Sequence, residues 1–111
     1  MKQKPVIPRT LARQDVDAAI HFYLTDAGER VATGFIDALE KAYAHISRHP
    51  ASGSPHYAHE LDLPELRIWT LPRYPYIVFY VERDDHIDVW RVLHEMRDIP
   101  RWLHEGDKSV H

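Results

Sequence analysis

The stretch Tyr74–Asp98 reads YPYIVFYVERDDHIDVWRVLHEMRD. Two apolar runs, Tyr76–Val81 and Ile87–Leu93, are rich in Val, Ile, Tyr, Phe and Trp. Between them lies Glu82-Arg83-Asp84-Asp85-His86, without one apolar side chain. β-Branched and aromatic residues fit a pleated, half-buried surface, and a short polar break between two such runs marks a hairpin. Under strict alternation Ile87, Val89, Arg91 and Leu93 share one face, and Asp88, Trp90, Val92 and His94 the other. Neither face is wholly polar, so the pair belongs at the centre of a sheet. The chain leaves it through His94, Glu95, Arg97 and Asp98, a concentration of polar groups at a strand end.

Upstream, Leu66–Leu71 reads as another strand, with Leu66, Ile68 and Thr70 on one face and Arg67, Trp69 and Leu71 on the other. Pro72 and Pro75 bracket the turn into the hairpin. His49–Pro55 (HPASGSP) is loop by composition, and His56–Pro64 carries no period that assigns it. Before these, the period becomes helical. Ala12, Val16, Ala19, Ile20 and Tyr23 recur at helical spacing, opposite Arg13, Asp17 and His21, with Thr10 as the expected N-cap. Gly28 marks a stop. Val31, Phe35, Leu39, Ala42, Tyr43 and Ile46 give a second helix ending at Arg48, His49 and Pro50. Gly34 within it weakens the helix by roughly 1 kcal/mol relative to Ala, or admits a close approach by the first helix. The few residues between the helices require an antiparallel hairpin. Val6-Ile7, flanked by prolines, allows one brief strand at a sheet edge. Pro100, Trp102 and Leu103 predict one short C-terminal helical turn, with a polar end expected from Gly106.

The order short strand, helix, helix, three strands defines an α+β fold: a helical hairpin packed on a small antiparallel sheet made of a short first strand and a three-strand meander. At 111 residues the chain is a single domain, 1–111. Its hydrophobic fraction of 44% and charged fraction of 28% are those of an ordinary soluble protein. A net charge of −3 argues against a broad phosphate-neutralising surface and against direct, sequence-specific nucleic-acid binding. The absence of cysteine removes disulfides, thiolate catalysis and Cys-ligated zinc. No long apolar segment opens the chain, so a cytoplasmic location is expected, with no membrane contact.

Four phrases in this order resemble the RelE/ParE superfamily of bacterial toxins, in its ParE branch. They are Leu11–Tyr23 (LARQDVDAAIHFY), His49–Tyr57 (HPASGSPHY), Leu66–Val81 (LRIWTLPRYPYIVFYV) and Arg91–Pro100 (RVLHEMRDIP). The resemblance implies the toxin of a type II toxin–antitoxin system, with a role in plasmid stabilisation. It implies two partners: a ParD-like antitoxin, which holds the toxin inactive in a hetero-oligomer, and DNA gyrase as the target. RelE-type members instead cut mRNA on the ribosome, and a degenerate member would only bind its antitoxin.

Chemistry separates the two activities. RNA cleavage needs a base, an acid and cations for the phosphorane charge. The four lysines, Lys2, Lys4, Lys41 and Lys108, all lie outside the sheet region, and no tyrosine follows Tyr80. A nuclease would have to rely on Arg67, Arg91, His94 and Arg97. A gyrase poison needs no catalytic set and no cofactor. Arg67, Trp69, Arg91, His94, Arg97 and Trp102 are then contacts to the target or antitoxin, since Arg suits carboxylate recognition and Trp anchors interfaces. The competing reading pairs the arginines with Glu82, Asp88, Glu95 or Asp98 and makes His94 a strand-end residue bonded to a carbonyl or carboxylate. His45 and His49, at i and i+4, lack a third ligand, so no metal site is assigned. Trp69, Leu71, Trp90 and Val92 are expected to line a sheet face that the helices leave underfilled.

Overall fold

The computed structural model describes residues 3–96 and 99; the expected C-terminal turn, Arg97 and Trp102 lie outside them. The order is β1 (Val6–Pro8), α1 (Thr10–Asp26), α2 (Glu29–Arg48), a 3-10 turn at Pro50–Ser52, α3 (His56–Glu60), β2 (Leu66–Thr70), β3 (Tyr76–Glu82) and β4 (Ile87–His94). The sheet order is β1-β4-β3-β2, so the Tyr76–His94 hairpin is central as its two-sided apolarity requires. β2, β3 and β4 form the antiparallel meander, and β1 adds a parallel strand, with Val6–Pro8 beside Ile87–Val89. The α+β class holds, and the sheet is mixed because the chain crosses from β1 to the meander through the helices.

The helices carry the expected stripes. Ala12 and Ala19 of α1, and Phe35, Leu39, Ala42 and Ile46 of α2, are buried against Val78, Tyr80, Ile87, Val89 and Val92. α1 begins at Thr10 itself, so Arg9 takes the cap position and no side chain caps the helix. Gly28 links the helices at φ +94°, a conformation that a Cβ makes costly. Gly34 admits a neighbour, but not the first helix. The Tyr74 hydroxyl fills the space where a Cβ would sit and donates to the Val31 carbonyl at 3.1 Å.

The second sheet face departs from the sequence reading. Leu66, Ile77, Phe79, Val81, Trp90, Leu93 and Ile99 are all buried there, with Tyr57, Leu61 and Leu63 from α3 and the turn after it packed against them. Five residues of helix are too short to show an amphipathic period, which explains why His56–Pro64 read as featureless. Nor is the face lined as expected: Leu71, Val92 and Trp69 join the helix-side core and only Trp90 lies opposite. Trp69 follows its partner Val78 to the helix side, and a β-bulge separates Val92 from Trp90. Phe79 pairs with Arg91 and Tyr80 with Val89, leaving Trp90 as an extra residue on β4. One inserted residue inverts the alternation beyond it.

Candidate functional site

At the start of β4 lies a polar cluster built around Asp88. Its carboxylate accepts Arg9 Nε and Nη2 at 3.0 and 2.9 Å, Arg83 Nε and Nη2 at 3.2 and 3.1 Å, and Trp90 Nε1 at 3.2 Å. The Arg9 guanidinium also stacks over the Trp90 ring at 4.4 Å. Burial pushes the Asp88 carboxyl up, but hydrogen bonds and charge from Arg9, then Arg83 and Trp90, outweigh it and hold the group below its usual value. Because Arg9 is the residue before α1, this cluster fixes where α1 leaves the sheet.

Nearly two turns further along α1, Asp15 accepts Arg91 Nε and Nη2, both at 2.7 Å, and the Val92 backbone N–H at 3.0 Å. The Arg91 side chain is 3% exposed. The ion pairs expected from sequence are therefore rearranged: Asp15 serves Arg91, Asp88 serves Arg9 and Arg83, and Glu82 takes Lys4 at 2.7 Å. Partners 76 residues apart leave no local spacing to read.

Beside this pair runs a groove of about 260 Å³ between α1 and the end of β4, lined by Asp15, Ala18, Ala19, Phe22, Val92 and His94. Phe22 is 51% exposed. Its place on the flank of the α1 stripe, one turn from Ala18 and Ala19, was a signal the sequence offered for this surface. His94 stands edge-on to Tyr76 at 5.2 Å, and its Nδ1 accepts the Met96 N–H at 3.1 Å. That bond goes to a backbone donor, not to a carbonyl or carboxylate, and it places the ring proton on Nε2.

The remaining candidates sit at the opposite side of the sheet. Arg67 Nη1 donates to the Gly53 carbonyl at 2.8 Å, and Trp69 stacks on His45 at 4.3 Å. The Tyr80 hydroxyl, donating to Pro50 at 2.7 Å and accepting the Gly53 N–H at 3.0 Å, ties the same loop to β3. The structure thus separates Arg67 and Trp69 from His94. Arg67 lies opposite Tyr80 and His94 opposite Tyr76. Four residues along the sheet and two strands across amount to roughly 17 Å between their backbones. Among the described residues no three His, Asp or Glu side chains come together as a metal site, and no helix is long and apolar enough to cross a membrane.

Comparison with known proteins gives a consistent result. The family described as ParE toxin of type II toxin–antitoxin system, parDE, matches residues 6–99. Among solved structures, a chain of the chromosomal ParDE toxin–antitoxin system from P. aeruginosa superposes with a TM-score of 0.70 at 18% identity, covering 83% of this chain and 96% of its own. At that identity the likeness is one of fold. The curated proteins contain no match.

Proposed function

Because the chain belongs to the ParE toxin family of type II toxin–antitoxin systems, we propose that it blocks replication by poisoning DNA gyrase. In this reading a cognate ParD-like antitoxin neutralises it in a hetero-oligomer, and it acts in the cytoplasm by binding, without a catalytic step. The observation that supports binding over RNA cleavage is the dispersal of the candidate catalytic groups. Arg91 is buried against Asp15, Arg67 is held on the Gly53 carbonyl, and His94 stands at the far end of the sheet. General acid–base catalysis needs its groups within hydrogen-bond reach of one reacting phosphate. Arg67, Trp69 and His94 remain proposed contacts to gyrase or antitoxin, and Arg97 and Trp102 join them from outside the described residues. Arg91 contributes by fixing Asp15 and α1.

The test is a supercoiling and DNA-cleavage assay with purified gyrase, run beside a translation reaction carrying labelled mRNA. Lost supercoiling with intact mRNA supports the proposal. Cut mRNA with unaffected gyrase overturns it and returns Arg67, Arg91, His94 and Arg97 to consideration as a nuclease set.

A further inference from the structure

The last turns of α2 carry charge that the fold leaves unused. Lys41 and Arg48 are both exposed, and neither forms an ion pair among the described residues. Asp37 and Glu40 bound this strip towards the middle of the helix. Beside it, on the outer strand β2, Arg67 Nη1 donates to the Gly53 carbonyl, a neutral acceptor that leaves the guanidinium charge uncompensated. His45 and Trp69 join the two elements by stacking at 4.3 Å, and His49 stands 5.2 Å from His45. Next to them, Lys4, Arg48, His49, Ser52 and Glu82 line a cavity of about 430 Å³. Glu82 holds Lys4 at 2.7 Å, so that pair cancels and Arg48 remains. Ser52 and His45 supply no chemistry of their own. The Ser52 hydroxyl donates to the His49 carbonyl at 2.7 Å, so His45 Nε2, at 3.1 Å, donates to Ser52 Oγ. The pair braces the loop and is not a base facing a nucleophile, which leaves recognition as the use of this surface.

We propose that this surface lies against the phosphate backbone of the DNA segment held by gyrase, with Arg48 and Arg67 as its main phosphate contacts and Lys41 beside them. This inference rests on the gyrase reading above and deepens it by naming what the toxin touches in the gyrase–DNA complex. Arg pairs with phosphate through its planar fork of donors. Lys41 and Arg48 lie about 10 Å apart along the helix. DNA offers one charge per roughly 3.4 Å of each strand, so such a row meets phosphates wherever it lands. An acidic protein surface is a poorer match, because it would have to place a carboxylate for each cation. Contact with phosphates carries no sequence information, and a local patch on a chain of net charge −3 binds DNA weakly alone, with gyrase supplying the rest.

The test has two arms, both with the full chain. In the first, fluorescence anisotropy follows binding to a labelled DNA duplex of about 20 base pairs. The unmodified chain should bind with a Kd of about 10⁻⁶–10⁻⁴ M, and log K should fall against log salt with a slope of about −2 to −3. In the second, gyrase-dependent DNA cleavage is titrated with toxin. Arg48→Glu, at an exposed position, should weaken duplex binding and raise the toxin concentration for half-maximal cleavage, each roughly tenfold or more, while Arg48→Lys keeps most of both. Equal potency of Arg48→Glu and the active unmodified chain overturns the proposal while the gyrase reading stands. An unmodified chain that poisons gyrase but binds no duplex overturns it as well, and assigns the surface to a protein partner. An unmodified chain inert on gyrase overturns both readings. The duplex arm needs no variant, so it decides even where Arg48→Glu folds poorly.

Discussion

Asp88→Ala should be strongly destabilising, and its cost can be worked from the geometry. Asp88 is 8% exposed and accepts hydrogen bonds from Arg9, Arg83 and Trp90. Breaking a buried ion pair from one side costs about 3–5 kcal/mol, because the remaining charge stays desolvated. The Arg9 side chain keeps 18% of its exposure, which favours the low end. Arg83, at 39%, can turn to water and adds under about 1 kcal/mol. The Trp90 Nε1–H, left without its acceptor, adds about 1 kcal/mol or more. These contributions overlap, giving a net loss of about 3–4 kcal/mol, or a fall in Tm of roughly 12–20 °C. Asp88→Asn keeps the shape and one acceptor and should lose about half as much. The pH dependence carries its own sign. Asp88 titrates below its usual 3.8 when folded, so the folded state binds fewer protons. The stabilisation is therefore complete above the usual carboxylate range and disappears as pH falls through the folded value. Wild type and Asp88→Asn should converge in acid. Thermal unfolding followed by circular dichroism from pH 3 to 7 measures both effects. An Asp88→Ala variant melting within about 3 °C of wild type at neutral pH would show that the cluster does not stabilise the fold.

Three further substitutions test other joints of the fold. In Gly53→Ala the new methyl meets the Tyr80 hydroxyl and the Ile68 carbonyl, the latter at 2.9 Å, and should cost about 1–3 kcal/mol in urea unfolding. Tyr80→Phe removes the bonds to Pro50 and Gly53 and should cost about 1–2 kcal/mol, measured the same way. Tyr43 has a buried hydroxyl with no hydrogen-bond partner among the described residues, and burial, then Asp15, push its pKa up to about 12. Tyr43→Phe should leave stability at pH 7 within about 1 kcal/mol of wild type or raise it. A phenol harder to ionise when folded stabilises below pH 10 and loses that contribution as pH rises towards 12, so the variant should resist alkaline unfolding better.

Much of this architecture was legible because it is periodic. The α1 positions Ala12 and Ala19, the α2 stripe at Phe35, Leu39, Ala42 and Ile46, and the apolar runs at Tyr76–Val81 and Ile87–Leu93 place two helices and a central hairpin from local spacing alone. What stayed hidden is non-periodic or non-local. The bulge at Trp90 needs no special residue type, yet it moves Val92 to the helix side and Leu93 to the other. The pairings Asp15–Arg91 and Arg9–Asp88 join residues 76 and 79 apart, so neither could be chosen over Glu82 or Glu95 before the chain was folded. The groove depends on both: Asp88 sets where α1 departs, and Asp15 takes the Val92 amide of β4.

The proposed activity meets its most direct test in plasmid DNA. Relaxed plasmid is incubated with purified gyrase, ATP and this chain, then treated with detergent and protease, and linear product is counted. Linear DNA should rise with toxin concentration, require gyrase, and vanish when the antitoxin is added first. Full supercoiling with no linear product at saturating toxin would contradict the proposed activity.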